Sequence, residues 1–234
     1  MTVPPDGNSV VARTRAARAV PAAVATVAGC LVLVALLGAG VRSDFGPQFR
    51  LDAVVSEAVY VGDHRAVALN DLLDVLTAPG LSWFRFVVFL PVLVLLLRRQ
   101  AWWTAAWLVV AVGLIGPLTT LLKNYFGRVR PDFAEGGARL DSLSYPSGHA
   151  SGIATLVTVA LVMAWPLMAA RARHWALAAG VALVLLVGMT RMWLGVHFLS
   201  DVVGGWALGV AWSLLTALLF GAFAEGRAAL RPTS

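Results

Sequence analysis

Six stretches of the chain carry almost no charge, and the polar residues gather between them. Residues 22–41, 101–122, 150–170 and 202–224 are runs of 20 to 23 residues with no Asp, Glu, Lys or Arg. Residues 80–97 form a fifth run, interrupted by Arg85, and 175–190 a sixth. At ~1.5 Å of rise per residue, the long runs match a hydrocarbon core of ~30 Å. Backbone inside lipid must bond to itself, and these lengths suit helices, not barrel strands of ~10 residues. The pattern predicts an all-α fold, a six-transmembrane-helix bundle.

The first polar interval, 42–79, has its own periodicity. Phe49, Leu51, Val54, Val55, Ala58 and Val59 recur at helical spacing, with Asp52 and Glu57 between them. This predicts a short amphipathic helix lying on the membrane surface, and a second one over 70–77 that ends at Ala78, Pro79 and Gly80. Residues 1–20, with Pro4, Pro5, Asp6 and Gly7, read as a disordered cytoplasmic tail. Residues 21–225 form one six-helix domain in this reading, and 226–234 a second cytoplasmic tail. The first apolar run exceeds a signal-peptide core of ~7–15 residues, so it is expected to stay as an anchor.

Composition narrows the class. Of 234 residues, 59% are hydrophobic and 13% charged, too apolar for an ordinary soluble domain. A net charge of +6 raises nucleic acid as a partner, but the cations sit at run ends and in loops, without a basic stripe. No nucleic acid is therefore expected. Cys30, the single cysteine, lies within an apolar run and reads as a small packing residue. Trp83, Trp102, Trp103 and Trp193 stand near run ends, as interface anchors do. Gly205 and Gly209, four apart in the last run, predict close helix packing.

Loop charge gives an orientation. With the N-terminus inside, inner and outer segments carry nine Lys and Arg each. The inner segments are short, and their only acids are Asp6 and Glu225. Short loops count most, which favours cytoplasmic N- and C-termini.

Three polar segments then fall on the outer side. The first holds Lys123 and Arg130, seven apart, so a helix continued to Pro131 would set both on one face. The second, Ser144-Tyr145-Pro146-Ser147-Gly148-His149-Ala150-Ser151, sits where a polar loop meets an apolar run. A helix starting there aims unpaired N–H groups and an imidazole at one point, which attracts anions. The third holds Arg191, His197 and Asp201. His197 and Asp201 are one helical turn apart, so the carboxylate can orient the imidazole and leave its other nitrogen free to attack. Taken singly, each segment has a structural explanation: interface cations, an interface histidine, a capping pair. His64, between Asp63 and Arg65, reads as a surface residue.

Together the segments resemble the type 2 phosphatidic acid phosphatase superfamily. Its signature of Lys-x6-Arg-Pro, Pro-Ser-Gly-His and Ser-Arg-x5-His-x3-Asp is met by Lys123, Arg130 and Pro131; by Pro146, Ser147, Gly148 and His149; and by Arg191, His197 and Asp201. Thr190 replaces the family's Ser and keeps the hydroxyl. The resemblance implies that His197 attacks phosphorus to form a phosphohistidine and that Asp201 orients it. It implies that His149 protonates the leaving oxygen and then activates water. Lys123, Arg130, Arg191, Ser147 and Gly148 would hold the phosphate oxygens, with no metal and no cofactor. The partners expected are the bilayer and a membrane lipid bearing phosphate.

The chain is thus expected to be an integral-membrane lipid phosphatase acting at the outer surface. Polyprenyl diphosphate, such as undecaprenyl diphosphate, is placed ahead of phosphatidylglycerol phosphate and phosphatidate. Two alternatives stand: a phosphotransferase of the same family, and a non-catalytic transporter. The transporter lacks the polar residues that a pathway would place mid-helix. The sequence assigns no oligomeric state.

Overall fold

The computed structural model describes residues 7–62, 66–132 and 142–222, with side chains from Val20 onward. The described residues form eight α-helices and no strand. They are α1 (Gly7–Arg42), α2 (Gly46–Val59), α3 (Val67–Thr77), α4 (Ser82–Arg98), α5 (Trp102–Phe126), α6 (Gly148–Ala164), α7 (Ala170–Trp193) and α8 (Leu199–Leu219). Residues 1–6, 63–65, 133–141 and 223–234, His64 among them, lie outside the described residues. Helical backbone starts at Gly7, where the chain was expected to be a tail. Its Ala- and Arg-rich composition carries high helix propensity.

Five helices are long and apolar enough to span a bilayer: Val20–Arg42, Trp102–Phe126, Gly148–Leu167, Ala170–Trp193 and Leu199–Leu219. The sixth span is bent. Helix α4 has 17 residues, or ~26 Å, short of a ~30 Å core. It follows α3 at an angle of 50° across the single 3₁₀ turn Ala78–Gly80. Pro79 shapes that turn, as the sequence suggested, because it has no N–H with which to continue an α-helix.

Helices α6 and α8 form the centre. They pack on each other more extensively than any other pair, with α1 against α8 and α5 and α7 against α6. The contact is close because α8 presents glycine. A Cβ at Gly205 would stand 2.6 Å from the Ser147 carbonyl oxygen, and one at Gly209 2.4 Å from that of Ser151. In lipid, helices gain little from hiding apolar surface, so small residues that let backbones approach drive their packing. The outer faces are apolar, with Leu36, Val87, Trp102 and Trp103 exposed.

Helix α2 forms where the amphipathic helix was expected, and differs in turning Asp52 inward. Its buried residues are Asp52 and Ser56, while Leu51 and Val54 are exposed. The Asp52 side faces the protein, where Val55 and Val59 also pack on the core, while Arg50 and Glu57 are exposed beside Leu51 and Val54. Helix α5 also differs from expectation. It stops at Phe126, where Gly127 adopts φ 70° and its N–H bonds to the Lys123 carbonyl at 2.9 Å. Glycine takes this left-handed conformation without steric cost, so the helix closes before Pro131.

The close crossing predicts a contrast between two alanine substitutions. Gly205→Ala should lower the thermal unfolding midpoint in detergent, costing about 1–3 kcal/mol, because backbone of α6 must shift. Gly113→Ala, with nothing within 4 Å, should leave the midpoint unchanged or raise it.

Candidate active site

The three motif segments meet at one end of the bundle, around the start of α8. Phe198 is the N-cap of α8, and His197 precedes the helix. The His197–Asp201 pair is therefore not one turn of helix, as its spacing suggested. Asp201, in the first turn, reaches back and accepts the Phe198 N–H at 2.9 Å, half of a capping box. Its Oδ2 lies 3.4 Å from His197 Nδ1 and accepts the Ser144 hydroxyl at 2.5 Å. These neighbours assign the proton of His197 to Nδ1 and leave Nε2 as the basic nitrogen.

His197 is returned to this place by the end of α7. Gly195 adopts φ 68°, and the Val196 N–H bonds to the Arg191 carbonyl at 3.1 Å. Arg191 itself is buried, and its Nη1 donates to Thr77 Oγ1 at 3.1 Å. The end of α3 thus sets the guanidinium. The Arg191 Nε has no partner among the described residues.

The other two cations come from the end of α5 and the loop after it. Arg130 Nη1 lies 3.1 Å from His197 Nε2 and donates to the Val196 carbonyl at 2.6 Å. Its Nε and Nη2 bond Ser142 at 2.7 and 2.9 Å. Lys123 Nζ donates to the Leu143 carbonyl at 2.5 Å. Loop carbonyls therefore draw Lys123 and Arg130 together, where the sequence had proposed a shared helix face.

The second motif opens α6. Ser147 is its N-cap, wholly buried, and its oxygen accepts the Ala150 N–H at 3.4 Å. The Ser147 N–H bonds to the Asp201 carbonyl at 2.9 Å, which fastens the start of α6 to the first turn of α8. Gly148 is the first helical residue, so its N–H has no acceptor within the helix. His149 follows, half-buried, within electrostatic reach of Arg191, His197, Lys123 and Arg130. All eight residues singled out from sequence stand in this one region.

Lys123, Arg130 and Arg191 bond only neutral oxygens or imidazole, and no carboxylate pairs with them among the described residues. The ion pairs go instead to Arg128, which the sequence reading passed over. Its Nη1 donates to Asp201 Oδ1 at 2.8 Å and its Nη2 to Asp52 Oδ2 at 2.6 Å. A second arginine two residues before Arg130 was the available signal. Ser144 was within the marked stretch without an assigned role. Asp52 gave the weakest sign, one of two acids in an apolar helical pattern. Among the described residues no group of three His, Cys, Asp or Glu is placed to hold a metal.

The arrangement is a basic imidazole nitrogen gathered with three cations that have no ion-pair partner among the described residues, at the N-terminus of a helix. It suits a phosphate group. A family model described as the PAP2 superfamily matches residues 84–224. The chain belongs to the PAP2 superfamily.

Relatives within PAP2 agree. Phosphatidylglycerophosphatase B of Bacillus subtilis is 32% identical over 166 residues, covering 68% of this chain and 77% of the relative. A lipid A 1-phosphatase of Rhizobium johnstonii is 36% identical over 127 residues, half of this chain and 48% of that protein. A crystal structure of a transmembrane PAP2-type phosphatidylglycerolphosphate phosphatase from Bacillus subtilis superposes with a TM-score of 0.67 at 28% identity. It covers 83% of this chain and 95% of that one. The protein is a multi-pass membrane lipid phosphatase of the PAP2 superfamily.

The site predicts an unusual titration. Burial pushes His197 down to about 3; Asp201 opposes this, while Arg130 and Arg191 reinforce it. An ordinary imidazole titrates near ~6.5. Stability linked to His197 is therefore intact above ~6.5 and is lost progressively as pH falls towards 3, because only the unfolded chain takes up the proton. Imidazole ¹⁵N shifts, assigned with His197→Gln, should show His197 neutral at pH 5. A midpoint near ~6.5 would contradict the burial described.

Proposed function

We propose that the protein removes a terminal phosphate from a membrane lipid at the outer face of a cell membrane, through a phosphohistidine at His197. The observation that carries this is that Lys123, Arg130 and Arg191 have no carboxylate within ion-pair distance among the described residues, with Arg130 3.1 Å from His197 Nε2. Three buried or half-buried cations without a carboxylate are costly unless an anion joins them. A phosphate dianion supplies the missing charge.

In the first step His197 Nε2 bonds to phosphorus while the bond from phosphorus to the lipid oxygen breaks. His149 gives its proton to that oxygen, and the negative charge of the phosphate offsets the cations around the imidazole. Asp201 accepts the Nδ1 proton as a hydrogen bond and meets the positive charge that develops on His197. In the second step water attacks phosphorus, His149 takes the water proton, and the nitrogen–phosphorus bond breaks. Arg191, Arg130, Lys123 and the Gly148 N–H hold the non-bridging oxygens. Ser147 spends its oxygen lone pair on the helix cap and keeps its proton for the phosphate.

Phosphatidylglycerophosphate leads as substrate, because the relative that spans most of the chain bears that name. Polyprenyl diphosphate, the lipid placed first from sequence, remains the alternative, and its diphosphate offers the same terminal group. Outward placement of the site rests on the loop-charge argument, with both termini cytoplasmic.

Purified protein in detergent with EDTA should release inorganic phosphate from a panel of these lipids. Release without any added acceptor would remove the phosphotransferase alternative. His197→Ala should abolish release, and Arg191→Ala should lower it ~10²–10³-fold, the cost of one oxyanion donor. Undiminished release by His197→Ala would end this reading. A green fluorescent protein fused after Ser234 should fluoresce in cells if the C-terminus is cytoplasmic.

A further inference from the structure

Asp201 does not face His197 alone; a second charge system stands behind it. Arg128 is buried, 5% exposed, with its guanidinium between the rings of Phe198 at 4.1 Å and Phe49 at 4.9 Å. One edge donates to Asp201 Oδ1 and to Ser200 Oγ, at 2.8 and 2.6 Å. The other donates to Asp52 Oδ2 at 2.6 Å. Asp52, 1% exposed, also accepts the Ser200 N–H at 2.9 Å and the Ser200 hydroxyl at 2.6 Å.

We propose that Asp52 and Arg128 are positioning residues for His197, a closed buried chain that locks the Asp201 carboxylate without cancelling its charge. This rests on His197 being the attacking group. The lock is geometric. Arg128 holds Oδ1, so the carboxylate cannot rotate, and only Oδ2 turns to His197 Nδ1, flanked by the Ser144 hydroxyl and the Phe198 N–H.

The charge sum explains why Asp52 is needed. Arg128 with Asp201 alone would be neutral, and the imidazolium forming at His197 would meet no net negative charge. Asp52 restores one negative charge to the group. In a dry site such a charge is felt strongly. The groups facing His197 are then arranged by sign. Arg130 from the loop, Arg191 from α7, Lys123 from α5 and His149 from α6 lie on the phosphate side. Asp201, backed by Arg128 and Asp52, lies on the other.

Helix α2 exists in this form for that purpose. A surface helix gains by turning its acids to water, yet α2 does so only with Glu57 and turns Asp52 inward. A merely structural explanation is that Asp52 pins α2 to α8. The two differ in what they do to turnover.

The test uses the full chain in detergent, with phosphate release from the best lipid of the panel. Asp52→Asn keeps the shape and the acceptor for Ser200 but removes the charge. It should lower kcat ~10-fold or more with KM within about twofold, since only the charged transition state is affected. Arg128→Gln should also lower kcat. It should raise the His197 titration midpoint, because two carboxylates would stand behind the imidazole uncompensated. Arg128→Lys, which keeps the charge but not the two-sided clamp, should restore the midpoint and recover kcat in part.

Wild-type kcat and midpoint in folded Asp52→Asn, with only a lower thermal midpoint, would overturn the proposal in favour of a structural pin. If Arg128→Gln gives no folded protein, Asp52→Asn decides alone. Full activity in Asp52→Asn beside an inert His197→Ala removes the chain and leaves the nucleophile standing. Activity in His197→Ala removes the nucleophile itself.

Discussion

Asp201 is a carboxylate with no exposed surface, in the first turn of an apolar helix, and its charge must be satisfied by protein. Removing one partner of such a buried pair costs about 3–5 kcal/mol, because an uncompensated charge is left behind. The donors that satisfy it come from the three polar segments: Arg128 from the loop after α5, Ser144 from the loop before α6, and Phe198 and His197 from the approach to α8. The Asp201 carbonyl also holds the Ser147 N–H at the start of α6. One buried anion therefore organises the convergence, and Lys123, Arg130, His149 and Arg191 are carried along by neighbours tied to it.

The bilayer sets the terms for this arrangement. Apolar side chains can face lipid on every helix, so they do not decide which faces meet. Contact is decided by small residues and by polar groups that need partners. Gly205 and Gly209 allow α8 to touch α6 backbone, and Gly204 lies against the Tyr145 ring, whose hydroxyl donates to the Val34 carbonyl at 2.6 Å. The buried ion pairs gather at one end, where the charges satisfy one another.

Charge is distributed unequally across that end. Behind His197, both carboxylates and Arg128 are paired to within 2.8 Å. In front, Lys123, Arg130 and Arg191 have hydrogen-bond partners but no counter-ion among the described residues. This division is consistent with a family of phosphatases, and the Bacillus subtilis crystal structure shares the overall fold.

Run length and spacing in the sequence determined a great deal. Uncharged runs announced the spanning helices, because a hydrocarbon core imposes a minimum length on any helix that crosses it. The motifs named the eight residues that meet at the bundle end, and the glycines at 205 and 209 announced the close crossing. Other features belong to tertiary structure alone. Periodicity shows which face of α2 is apolar but not whether water, lipid or protein lies opposite, so the inward turn of Asp52 could not be read. Lys123 and Arg130 were given a helix face, yet loop carbonyls and the turn at Gly127 bring them together. The contacts of Arg128 with Asp52 and of Arg191 with Thr77 join residues 76 and 114 positions apart. A charge in sequence has no partner until the chain folds, and burial then makes that partner obligatory.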